Sequence, residues 1–331
     1  MNVSLAPVNR VEDIEKIKKA ILDVLSILEI DPRSIVPYEN TPTFEPFLTE
    51  CVKVARDRGY LSEENQPFQE KHVRIGAAVG HYTYLHHKNT ASHDVAVLSS
   101  LLMAFEYCVD DYCFEAKSIA EYGSCLASGR PQLEKGLSDL ASLLAELSDM
   151  YPPVTGDLLR ISHQAYVMGT HLEREMCGLH ATWDVSHNAP LFPAVMRSTT
   201  SAATSWYLLS FPCDVPVTRY LQGLPDGICV HYTTADIMSY YKEAIEGEFN
   251  HVEQIAQFHN MTGPDMLGEL VKNVRLNHER VIKVLSASDP SGELVSCYKR
   301  TIVGFTVFQA LHPRYKLRDF GIFSCCRDSR L

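Results

Sequence analysis

Apolar residues recur at helical spacing along almost the whole chain, and this periodicity restricts the fold more than any other feature. From Val11 to Ile30 they fall at Ile14, Ile17, Ile21, Val24, Leu25 and Leu28, until Asp31-Pro32 stops the run. IVPYENTPTFEP, an extended connection with three prolines, follows. Further helices are predicted over 47–58, 70–84, 92 to about 118, 133–147, 155–177, 192 to about 208, from near 228 to 250, 266–284 and 294–311. Ser92, followed by Asp94 and Val95, suits a helix cap. No run of alternating Val, Ile and Thr is long enough for a sheet, and no repeat of solenoid period emerges. The expectation is an all-α chain folded as one domain over 1–331. Residues 1–45 form its N-terminal helix and connection, and 46–320 its catalytic core.

Composition narrows the function. Lysine and arginine number 30 against 41 acidic residues, a formal charge of -11, which argues against nucleic-acid binding. An anionic substrate then needs a local positive site or bound cations. The ten cysteines are scattered with no CxxC, and the N-terminus lacks the apolar core of a signal peptide. No stretch has the length of a membrane span. These features predict a soluble protein of a reducing compartment, placed in the cytoplasm, with no stable membrane association. The phosphate-cradling patterns GxGxxG and GxxxxGK are absent from the sequence. His86, His87, His93, His171 and His180 lack the spacing of a zinc site.

Chemistry is concentrated in two acidic stretches. After the apolar run VAVLSSLLMA comes FEYCVDDYCFEA, with Asp110, Asp111 and Glu115. On one continuous helix Asp111 and Glu115 lie about 40° apart. Such a set can bind a hard divalent cation through oxygen, or simply mark an acidic helix end rising into solvent. The second stretch, TTADIMSYYKEAIEGEFN, places Asp236, Ser239 and Glu243 in a narrow oxygen-bearing stripe with Lys242 beside it. Its bland alternative is a serine bonded to its own helix and a glutamate paired with a surface lysine. A diphosphate held by metal ions between the two helices would explain both stripes.

These segments resemble the metal-binding motifs of class I terpene cyclases, in particular the fungal trichodiene synthase-like sesquiterpene cyclases. DDYCFE corresponds to the aspartate-rich motif and ADIMSYYKE to the second motif, while HYTYL at 81–85 and HPRYKL at 312–317 match further elements in order. The likeness spans about residues 70 to 320. It implies a class I terpenoid synthase fold around an apolar cavity. It also implies Mg²⁺, three ions with diphosphate, held by Asp110, Asp111, Glu115, Ser239 and Glu243. Asp110, Arg197, Lys242, Arg314 and Tyr315 would act on the diphosphate.

One position departs from the pattern. Ala235 stands where the family has a chelating Asn or Asp. The outcome is a weaker site, an inactive or repurposed protein, or a takeover by Asp236, which we include among the metal residues. For Arg197 the competing reading is a surface arginine. Phe105, Tyr107, Phe114, Trp206 and Tyr240 are candidates to line the pocket against a carbocation, with core packing as the alternative for each. The resulting expectation is Mg²⁺-dependent cyclisation of farnesyl diphosphate to a sesquiterpene, by a homodimer. Its rivals are transfer of the allylic cation to another acceptor and a non-catalytic diphosphate-binding protein.

Overall fold

The computed structural model describes residues 11–65, 67–85, 93–179, 186, 188–189, 191–248 and 250–323. The expected cap at Ser92 and the histidines at 86, 87 and 180 lie outside these residues.

Helix α4 (His93–Asp110) is the axis of the molecule. Every residue from Val95 to Val109 is buried, as an all-round apolar sequence demands. Cutting Leu101 back to Ala would cost about 2–5 kcal/mol by opening a cavity. Against α4 packs α3 (Glu70–Gly80), which continues as a π-turn over His81–Leu85. Gly76 permits that approach, because a Cβ there would sit 2.1 Å from the Ser100 carbonyl oxygen. Against this pair lie α2 (Phe44–Asp57), α6 (Lys135–Asp149) and α7 (Pro153–Leu179), and α5 (Ala116–Ser128) packs on α7; α1 (Val11–Ile27) precedes them in the chain.

The other half comprises α8 (Phe192–Thr199), α9 (Ala203–Leu209), α10 (Leu224–Glu246), α11 (His251–Phe258), α12 (Gly263–Ser288) and α13 (Glu293–Leu311). The N-terminal α1 lies across α12 and α10. One apolar core joins both halves, and no strand occurs among the described residues. None of the described helices is long and apolar enough to cross a membrane.

Three expectations fail at helix ends. The helix expected to run from 92 to about 118 stops at Asp110. Tyr112 takes a left-handed φ of 53°, the Cys113 N–H donates to the Cys108 carbonyl at 3.1 Å, and the Tyr112 N–H donates to that of Val109 at 3.1 Å. This closes the helix as a Schellman turn without its usual glycine. The single helix expected over 192–208 is broken at 200–202, where the hydroxyls of Ser198 and Thr199 donate to the Val195 carbonyl at 2.8 and 2.9 Å. Finally, GLPDG opens α10 rather than preceding it, since Pro225 fits the first helical turn and Asp226 complements the helix dipole.

Candidate functional site

Helices α4, α7, α9, α10 and α13 enclose a cavity of about 760 Å³ whose mouth carries the charged residues. The Schellman turn ends α4 with the carboxylates of Asp110 and Asp111 projecting at the rim, their side chains 53% and 30% exposed. Arg174 on α7 braces this turn, with its guanidinium 4.9 Å from the Tyr112 ring centroid and Nη1 donating to the Phe114 carbonyl at 3.1 Å. After α13, Pro313 starts a short 3₁₀ turn that presents Arg314 and Tyr315. Arg314 donates to Asp111 Oδ1 at 2.7 Å and to Asp110 Oδ2 at 3.0 Å, and lies over the Tyr107 ring. The Tyr107 and Tyr315 hydroxyls are 3.1 Å apart.

The opposite rim is α10, which runs unbroken past Ala235, Asp236, Ser239, Lys242 and Glu243, all in the cavity wall. Asp236 is buried, its side chain only 6% exposed, and its Oδ1 accepts from Arg197 Nε at 2.8 Å. Its Oδ2 has no hydrogen-bond partner among the described residues. Arg197 reaches it from α8, which Gly169 lets approach α7: a Cβ there would lie 2.5 Å from the Thr199 carbonyl oxygen. Lys242 pairs with Glu248 and, at 3.4 Å, with Glu246. Burial pushes the Glu243 carboxyl up to about 7, against the opposing pull of Ser239. Glu173 on α7, facing Arg197, is likewise raised to about 7, chiefly by desolvation.

Asp110, Asp111, Arg197, Asp236, Ser239, Lys242, Glu243, Arg314 and Tyr315 are therefore brought to one cavity, together with Tyr107 and Trp206. Four candidates are not. Glu115 caps α5 beyond the turn, exposed, with its N–H bonded to Glu134, because α4 does not continue to carry it. Phe105 turns into the core and stacks on Phe68 at 4.0 Å. Phe114 is buried beneath Gly136. Tyr240 faces away, donating to Glu253 at 2.6 Å. The cavity wall instead includes Tyr166, Tyr232 and Phe305, and unforeseen polar residues, among them Glu106, Glu173 and His231. Glu106 had a signal: it precedes Asp110 by four residues, about 40° away on the same face.

The donors at the mouth are oxygens, which suit a hard divalent cation such as Mg²⁺, and the unpartnered Oδ2 of Asp236 is a free acceptor there. A different donor set lies behind the α4 turn. His72 Nε2 and the thiols of Cys108 and Cys113 lie within 4.8 Å of one another, a grouping able to hold a softer metal. His72 Nδ1 accepts from the Gln69 N–H at 3.0 Å, which leaves the hydrogen of the neutral ring on Nε2, and burial pushes both thiols up.

No family model matches the sequence. An alpha-cuprenene synthase of Coprinopsis cinerea is 24% identical over 306 residues, covering 92% of this chain and 89% of that protein. Monoterpene synthase 25 of Postia placenta is 26% identical over 240 residues, 70% of this chain and 69% of that one. The solved linalool/nerolidol synthase from Streptomyces clavuligerus, one of whose structures holds 2-fluorogeranyl diphosphate, superposes with a TM-score of 0.56 at 14% identity, covering 81% of this chain and 93% of that one. The chain has the class I terpenoid synthase fold and is a distant relative of fungal terpene synthases.

Proposed function

We propose that the protein ionises farnesyl diphosphate with Mg²⁺ at the cavity mouth and cyclises the hydrocarbon inside to a sesquiterpene. The observation that carries this reading is the mouth itself. Carboxylates on two rims, each held by an arginine from elsewhere, stand over a cavity with aromatic walls. The ligand of the Streptomyces clavuligerus structure, 2-fluorogeranyl diphosphate, supports the substrate class.

Asp110 and Asp111 on one rim and Asp236, Ser239 and Glu243 on the other would hold the metal, despite the methyl group at Ala235. Bound there, Mg²⁺ would supply positive charge to stabilise the diphosphate leaving group. The chain's own part is preorganised. Arg197, Lys242 and Arg314 each neutralise a carboxylate now. Their release from these partners lets them donate to diphosphate oxygens, where Tyr315 adds its hydroxyl. Stabilisation that grows with the developing charge lowers the barrier. Tyr107, Trp206 and Phe305 then offer π-faces to the cation, and their walls keep water from it. A catalytic core over 46–320 and a cytoplasmic homodimer belong to the same reading, and sedimentation tests the dimer.

Separate incubations with geranyl, farnesyl and geranylgeranyl diphosphate, with and without Mg²⁺, followed by analysis of volatiles and released diphosphate, test the proposal. A cyclic C15 product from farnesyl diphosphate that requires Mg²⁺ is expected. Release from geranyl diphosphate alone would reassign the chain length, and no release from any of them would refute the function.

A further inference from the structure

Glu106 gives the cavity a buried polar group one turn below the paired charges of the mouth. It lies one turn before Asp110 on α4, is 4% exposed, and stands in the cavity wall. Its Oε2 accepts a 2.8 Å hydrogen bond from the indole N–H of Trp206. Oε1 faces His163 Nδ1 at 3.5 Å without hydrogen-bond geometry. The groups around it are Asp110 on its own helix, Tyr84 from the turn after α3, His163 and Tyr166 from α7, Trp206 from α9, and, farther along the same wall, His231 from α10. Tyr166 spends its hydroxyl on the Glu106 backbone carbonyl at 2.9 Å, not on the carboxyl. No lysine or arginine pairs with Glu106 among the described residues, whereas Asp110, Asp111 and Asp236 are each paired with an arginine.

A carboxyl taken out of water, given one neutral donor and no cation, keeps its proton. Burial accordingly pushes Glu106 up to about 8, while His163 is pushed down to about 4 and remains a neutral ring. The wall of a cavity suited to hydrocarbon thus carries a carboxylic acid rather than a carboxylate, beside aromatic faces and with one oxygen uncommitted.

We propose that Glu106 is a catalytic acid–base residue that exchanges a proton with the hydrocarbon during cyclisation. The inference rests on the prenyl diphosphate reading above. The first cyclised cation loses a proton to the departing diphosphate and becomes a neutral polyene. Glu106 then gives its proton to one carbon of a double bond. The π pair becomes the new C–H bond, the neighbouring carbon becomes cationic, and the Trp206 N–H steadies the carboxylate left behind. After the second ring closure the carboxylate removes a proton from a carbon next to the cationic centre. That C–H pair becomes the double bond of the product, and the acid is restored. The proton lost overall leaves with diphosphate, so the step needs no further reactant.

Turnover of farnesyl diphosphate with Mg²⁺ in D₂O, read by mass spectrometry of the product, tests this. The wild-type product should carry one deuterium at a non-exchangeable carbon. Glu106→Gln keeps an acceptor for Trp206 but has no acidic proton. It should yield an unlabelled polyene with fewer rings, whatever its rate of diphosphate release. A purely structural role for Glu106 would leave the label unchanged. An unlabelled wild-type product overturns the proposal without recourse to any variant, and so does a Glu106→Gln product that is unchanged and labelled. Wild-type protein that releases no diphosphate removes the substrate reading and this proposal together, whereas release without label removes only this one.

Discussion

On the α4 side of the mouth, Asp110 and Asp111 sit at a helix end, half-exposed, on a turn closed by a left-handed tyrosine. On the α10 side, Asp236 sits within a continuous helix, buried, with one oxygen held by Arg197. Both rims are neutralised by an arginine from a distant part of the chain, but at very different depths. The exposed rim can exchange Arg314 for a metal ion at small desolvation cost, because water still reaches its carboxylates. The buried rim cannot lose Arg197 without leaving a charge stranded. In the proposed reaction α4 would make first contact with the metal, and the Arg197–Asp236 pair would sense the anion.

The sharpest way to break this contrast is at Asp110. Asp110→Asn should lower turnover at least about 100-fold, since it removes charge from the place where metal and leaving group meet. Glu115→Gln, five residues on but beyond the turn, should stay within about twofold in the same assay. Equal losses would mean that the α4 helix continues in the working enzyme.

Asp236→Ala probes the buried rim through stability. Stranding the Arg197 guanidinium should cost about 3 kcal/mol, while Asp111→Ala, which leaves Arg314 its second partner, should cost under about 1 kcal/mol. Urea unfolding of both variants checks the ratio. A near-neutral Asp236→Ala would show that the pair does not hold the rim.

Acid tests the layer beneath both rims. His163 and His231 are fully buried, and desolvation holds them down to about 4 and about 3. Lowered folded values mean that the unfolded chain takes up protons first, so stability is complete above pH 6.5 and is lost as pH falls towards 4. At pH 5.5 each should contribute a loss of about 1 kcal/mol relative to pH 7. His163→Gln should flatten that slope of melting temperature against pH.

The smallest effect is expected at the brace. Arg174→Gln removes the contact over Tyr112 and the bond to the Phe114 carbonyl, about 1 kcal/mol in all. Turnover at saturating Mg²⁺ should be nearly unchanged, with a severalfold higher Mg²⁺ requirement from the loosened turn.

How much of this could be read from the sequence differs between the rims for a physical reason. Helix angles apply only while the helix lasts. On α10 it lasts, and Asp236, Ser239, Lys242 and Glu243 share the cavity wall, while Tyr240 of the same stretch faces away. On α4 it ends at Asp110 through a left-handed Tyr112, a conformation that side chains other than glycine adopt rarely, so nothing local announced it. The same angles counted backwards from Asp110 reach Glu106, where the helix is intact. Aromatic residues were the least legible. Phe105 and Tyr107 are two residues apart, about 200° around α4, so they part to opposite faces; which face meets the cavity is decided by partners from distant segments. The brace from Arg174 and the approach of α8 at Gly169 are equally tertiary.

The central claim is that the mouth exchanges its internal ion pairs for metal and diphosphate together. Calorimetric titration of the protein with inorganic diphosphate, in the presence and absence of Mg²⁺, tests it most directly. Freeing Arg197 and Arg314 uncovers carboxylates that only a cation can satisfy, so diphosphate should bind with Mg²⁺ present and give no detectable heat without it. Equal binding of diphosphate with and without Mg²⁺ would contradict the account.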